Sequence, residues 1–182
     1  MLQHRCSPKN KAMLKERTKS VRLEFLRTQL LYDIRQMAYV EGDVMPADAQ
    51  HTRHQVQDIG EEGNIDLVTR MMDVAVAECV EMLYPYSKKE VDSSTYMDDI
   101  LQETGRYIVE MLVPDDFSRT TVTLIERYIH EYICYRVLAH WFTISAPDLA
   151  AKWLAKQEAA EVAIKDALNA RIGRVRKTQT PF

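Results

Sequence analysis

Between Ser118 and Ile172 the chain carries two long runs of helix-forming sequence with a single interruption at Ser145–Pro147, and this stretch restricts the fold more than any other. In the first run Val122, Ile125, Ile129, Tyr132 or Ile133, Val137, His140 or Trp141 and Ile144 recur at three- and four-residue steps. That spacing places side chains on one face of a 3.6-residue helix. Ser118 offers a side-chain oxygen to the unpaired N–H groups of the first turn, and Asp115 and Asp116 suit the positive end of the helix dipole. Pro147 disfavours α geometry at Ala146 and has no N–H to continue the ladder, yet proline fits the first turn of a new helix. In the second run Leu149, Trp153, Ala160, Ile164, Ala167 and Leu168 share one side, with Lys152, Lys156, Glu158, Glu161 and Lys165 on the other and Gly173 as terminator. The stretch therefore reads as a helical hairpin.

With 182 residues, 46% of them hydrophobic, and only five glycines and six prolines, the chain fits one domain built from long elements. Residues 1–10 show no periodicity and read as an arm. From Lys11 to Val40 the spacing of Met13 or Leu14, Val21, Phe25 with Leu23 or Leu26, Leu30 or Leu31, Ile34 and Met37 or Ala38 predicts a long amphipathic helix that ends at Gly42. Residues 41–63 form a polar connector with room for a short helix between Ala47 and Gln57, and Asn64 suits the cap of a helix running to about Tyr84. Turn formers and charges over 85–94 mark a linker. Over 95–113 a β-hairpin turning at Gly105 is expected; a continuous helix is the competing reading, but a mid-helix Gly costs roughly 1 kcal/mol relative to Ala. The expected fold class is mainly α: a single helical domain over 11–172, a bundle with a long C-terminal helical hairpin and a small β-hairpin inserted before it, followed by a basic arm at 173–182.

The formal charge of -3 conceals a division along the chain. Residues 1–40 carry nine Lys and Arg against three Asp and Glu, residues 41–116 five against eighteen, and residues 117–182 ten against six. The basic ends supply the candidate partner- or DNA-facing residues: Lys15, Arg17, Lys19 and Arg22 on the first helix, and Arg171, Arg174, Arg176 and Lys177 in the tail. A solvated outer face explains the first group equally simply, and compensation of a helix C-terminus explains part of the second.

Catalytic signatures are missing. The histidines of HTRH, His51 and His54, lack a carboxylate set between them as in zinc-binding helices, and they read as surface residues. Neither His130 nor His140 has a glutamate three residues before it, so the usual di-iron bundle pattern is not met, and Glu126 with His130 reads as an i, i+4 pair. No nucleophile elbow, P-loop or dinucleotide fingerprint occurs. Cys6, Cys79 and Cys134 are odd in number and lack CxxC spacing, which fits a reduced history. No catalytic, cofactor or metal residue, no small-molecule substrate and no membrane association are expected. Tyr132, Leu138, Trp141, Phe142 and Trp153 are assigned to packing of the hairpin.

Pro114, Asp115, Asp116 and Phe117 leading into a helix with Tyr132 at its middle and Leu138, Trp141 and Phe142 near its end, then a second Ala-rich helix, resemble small virion proteins of tailed bacteriophages and prophages of Bacteroides-type hosts. The pattern is also similar to helical head-tail connector, or adaptor, proteins. It covers residues 107–172, and the basic run at 11–40 departs from the compact connector form. The resemblance implies a non-enzymatic, homo-oligomeric ring in the virion neck, assembled in the bacterial host cytoplasm. Its partners would be portal and tail or neck proteins, with nonspecific contact to packaged DNA. A helical nucleic-acid-binding or regulatory protein acting through the 11–40 segment and the tail is the alternative.

Overall fold

The computed structural model describes residues 18–84, 86–87, 105–115 and 117–169. The N-terminal arm, Lys15, Arg17, most of the 85–94 linker, the first run of the expected hairpin at 95–104, Gly173 and the basic tail with Arg171, Arg174, Arg176 and Lys177 lie outside the described residues.

The protein is mainly helical, with a small two-stranded antiparallel sheet and a long C-terminal helical hairpin. In chain order the elements are β1 (Thr18–Leu26), α1 (Arg27–Val44), a 3-10 turn at Ala47–Ala49, α2 (Gln50–Gln57), a second 3-10 turn at Asp58–Gly60, α3 (Glu62–Met82), β2 (Arg106–Pro114), α4 (Arg119–Ser145) and α5 (Pro147–Asn169). α4 is the middle of the molecule, in contact with α1, α2, α3, α5 and β1. Its buried surface is correspondingly broad: Tyr132, Ile133, Cys134, Val137, Leu138, Ala139, Trp141 and Phe142 are all buried, more than one stripe of an amphipathic helix.

The hairpin forms as its punctuation dictates. Ser118 caps α4, its Oγ accepting from the Thr121 N–H at 2.9 Å. Ala146 breaks the helix in a non-helical conformation (φ -153, ψ 80), and α5 begins at Pro147. Trp153 is 2% exposed, its ring 5.9 Å from Phe142 and 5.6 Å from Tyr135, and Lys156 Nζ lies 3.9 Å from its centroid. Ile144, expected on the inner face, is exposed, because it lies at the far end of α4.

Within the expected 11–40 helix, Thr18–Leu26 is a strand instead. From Ser20 to Leu26 the residues alternate strictly, Val21, Leu23 and Phe25 inward and Ser20, Arg22, Glu24 and Leu26 outward. Val21 and Phe25, four apart, satisfy both a helical and a strand period; Leu23 satisfies only the strand. The strand's partner lies a long way along the chain: β1 pairs with β2 in the register Thr18↔Pro114 to Leu26↔Arg106, and the Arg27 N–H extends the ladder to the Gly105 carbonyl at 3.3 Å. Tyr107, Val109, Met111 and Val113 complete the inner face. The helical period resumes at once in α1 with Leu30, Ile34, Ala38 and Gly42 buried.

Two further expectations shift. Gly42 does not terminate α1, which runs to Val44; it is where α2 approaches, since a Cβ there would lie 2.7 Å from Gln57 Cγ. α3 starts at Glu62, so Asn64 sits inside its first turn, where its side-chain amide donates to the Asp58 carbonyl at 2.9 Å.

Candidate functional site

Several partly buried polar groups tie elements together. His130 Nε2 on α4 lies 2.7 Å from Asp33 Oδ2 on α1, so its partner is across the bundle and not Glu126 on its own helix. Arg136 donates to both oxygens of Glu78 on α3, at 3.0 and 3.1 Å, and the Tyr132 hydroxyl donates to the same carboxylate at 2.9 Å. Burial pushes the Glu78 carboxyl up, but these hydrogen bonds and the Arg136 charge outweigh it and hold the pKa below its ordinary value. Burial first, and the hydrogen bond to Glu78 second, push the Tyr132 hydroxyl upward. Tyr107 of β2 donates to Asp73 of α3 at 2.7 Å, and Arg27 Nε to Thr69 Oγ1 at 3.2 Å. Cys79 and Cys134 are buried thiols whose pKa is raised mainly by desolvation, the opposite of what a nucleophilic cysteine needs.

The expected packing residues Tyr132, Leu138, Trp141, Phe142 and Trp153 are brought together in the core. Of the expected basic face at Lys15, Arg17, Lys19 and Arg22, only the last two are among the described residues, and they are not brought together. Lys19 and Arg22 lie on opposite faces of β1: Lys19 Nζ donates to the Phe117 carbonyl, clamping the entry to α4, whereas Arg22 is exposed and paired with Glu24 at 2.9 Å. A strand cannot carry the continuous basic stripe that a helix over 11–40 would have shown. His51 and His54 are exposed on α2, His51 beside Gln55 at 3.3 Å, and among the described residues no group of three His, Cys, Asp or Glu converges to hold a metal. No described helix is long and apolar enough to cross a membrane.

What remains unspent is surface. On α1, Tyr32, Tyr39 and Val40 are exposed at 61%, 58% and 52%, on the side away from Leu30, Ile34 and Ala38. Tyr32, Arg35, Gln36 and Tyr39 form one wall of an open cleft of about 500 Å³, with Gln57, Gly60 and Glu61 opposite. Arg35 lies flat along Gly60, where a Cβ would sit 2.2 Å from its Nε. A smaller cleft of about 210 Å³ lies between α3 and α4, with Leu67, Met71 and Val74 as floor and Arg70, Arg136 and His140 at its rim. His140, an alternative to Trp141 for the inner face of the first run, is thus exposed, and Trp141 is the buried one. The tyrosines of α1 were visible in the sequence but fall outside the stripe that the helical period selects, which is itself the signal of an exposed aromatic surface.

Comparison with known protein families, with characterised proteins and with solved structures found no match.

Proposed function

We propose that the protein is a structural assembly protein that acts through homo-oligomeric contacts and performs no chemistry, with the ring-forming head-tail connector of a tailed phage as its specific setting. The observation that carries the reading is α1: Leu30, Ile34 and Ala38 are consumed in the core, while Tyr32 and Tyr39 face outward with Arg35 and Gln36 along an open cleft and Val40 is exposed beyond them. A helix that serves one subunit needs only its core face, and the exposed tyrosines fit a neighbouring subunit. The groups that an enzyme would use support the same reading, since Glu78, His130, Tyr107 and Tyr132 are held by partners from other elements. The portal, tail and DNA contacts, and the place in the virion neck, rest on the resemblance at Pro114–Phe117 and Tyr132–Phe142.

The nucleic-acid-binding alternative is less favoured at Lys19 and Arg22, which lie on opposite faces of a strand. Electron microscopy of the concentrated chain tests the proposal: closed rings are expected for the native sequence, and none for Tyr39→Glu with Val40→Glu. Isolated particles of the 21.1 kDa chain in both samples would sink it.

A further inference from the structure

β1 is an edge strand, and its ladder fixes which groups face the open side. Because the Arg27 N–H points to Gly105, the alternate residues Phe25, Leu23, Val21 and Lys19 also turn their N–H and C=O towards β2. Thr18, Ser20, Arg22, Glu24 and Leu26 turn theirs outward. The same alternation puts the Leu112 N–H on the outer edge of β2, and there it is taken by the Tyr86 carbonyl at 2.8 Å. On the outer edge of β1, no backbone group among the described residues fills the corresponding role. Nine residues of extended backbone are thus presented with one side unpaired among the described residues, a template for another strand.

We propose that this edge is an interface between two copies of the chain, β1 pairing antiparallel with β1 of the second copy about a two-fold axis at Leu23. The charges choose both the occupant and the register. Outward-facing residues must sit opposite one another, so the central registers available set Arg22 against Arg22, Arg22 against Glu24, or Glu24 against Glu24. The first and third oppose like charges, which destabilises a cross-strand pair. The second makes two Arg22–Glu24 pairs at once, because the segment Val21-Arg22-Leu23-Glu24-Phe25 is apolar at its centre and ends and opposite in charge on either side.

In that register the other side chains match as well. The solvent face sets Ser20 against Leu26, and the buried face sets Leu23 against Leu23 and Val21 against Phe25. Across the resulting four strands one row reads Glu110, Arg22, Glu24, Ile108, continuing the Arg22↔Glu110 and Glu24↔Ile108 pairs already present in each copy. A two-fold contact closes on itself, whereas a ring requires a head-to-tail contact, so the pairing is independent of the connector reading and leaves the α1 face available.

Sedimentation equilibrium of the full chain tests the pairing. With Tyr39→Glu and Val40→Glu in place to remove the ring contact, the protein should show a reversible doubling of its 21.1 kDa mass. Arg22→Glu should move the midpoint about tenfold or more to higher concentration, and Arg22→Glu combined with Glu24→Arg should restore it, because both cross-copy pairs re-form with reversed sign. Register is read separately by a short thiol cross-linker with Cys6→Ser as background, where Ser20→Cys with Leu26→Cys should give a covalent dimer. Within one copy those positions are about 20 Å apart along the strand, beyond such a linker. Thr18→Cys with Glu24→Cys, which belongs to another register, should link poorly. Circular dichroism of each variant confirms that it folds. A chain with Tyr39→Glu and Val40→Glu that stays at 21.1 kDa, or a dimer indifferent to the charge changes and linked equally by both cysteine pairs, would overturn the proposal.

Discussion

The α4–α5 hairpin and the β1–β2 sheet are built on opposite plans, and the contrast shows where association is to be sought. The hairpin joins neighbours in sequence, has its stop and start written at Ala146 and Pro147, and spends its apolar face on itself and on the surrounding helices. The sheet joins segments from distant parts of the chain and, among the described residues, has only two strands and leaves one edge open. Local pairing yields a finished element. Non-local pairing of two strands yields one that is satisfied on a single side, since a lone two-stranded sheet is marginal without further cover.

If the hairpin is the fold's mechanical centre, damage there should be the most costly. Trp153→Ala removes a ring buried against Phe142 and Tyr135 and should lower unfolding stability by about 3–5 kcal/mol in urea titrations. Trp153→Phe keeps most of that packing and removes an indole N–H that has no partner among the described residues, so it should cost much less. Equal losses from the two would break the assignment of Trp153 to packing.

Phe25→Ala is the matching change in the sheet. The side chain is 3% exposed, and about 3 kcal/mol is expected. Because β1 sits at an edge, hydrogen exchange should show the loss concentrated in β1 and β2, with α4 and α5 protected as before. Uniform loss of protection would show that the sheet and the hairpin unfold as one unit.

The two regions meet the rest of the molecule through polar ties, and Glu78 is the one whose sign with pH can be worked out. Its carboxyl is held below its ordinary 4.5 in the folded chain, so the unfolded chain takes up the proton first. The contribution is fully present above about pH 4.5 and is lost as pH falls through the lower folded value. Glu78→Gln should therefore cost about 1–2 kcal/mol at pH 7, for a half-exposed charged hydrogen-bond set, and the gap to the native chain should close towards pH 3. A gap that is constant with pH would show that Arg136 and Tyr132 do not act through the carboxylate.

The smallest change sharpens the local end of the comparison. Ser118→Ala deletes the cap of α4 and should cost about 1 kcal/mol, with little effect on β1–β2 exchange.

Local punctuation was readable from the residues alone. Ser118, Pro147, the Trp153 side of α5 and the short α2 helix each declare themselves through neighbours in sequence. The strand β1 did not, because Val21 and Phe25 fit either period and the helical reading of Leu30, Ile34 and Ala38 extended backwards through them. What makes 18–26 a strand is β2, roughly ninety residues away, and no local pattern reports a partner at that distance. The same limit hid the His130–Asp33 tie and the α1 surface: each depends on which helices become neighbours.

The claim that joins these points is that the chain works by meeting other copies of itself through surfaces its own fold leaves unsatisfied. Sedimentation velocity of the full chain over a wide concentration range is the most direct test. The account predicts species heavier than 21.1 kDa that grow with concentration and are reduced by Arg22→Glu at the β1 edge and by Tyr39→Glu on α1. A single 21.1 kDa species at every concentration, identical for the native chain and both variants, would contradict it.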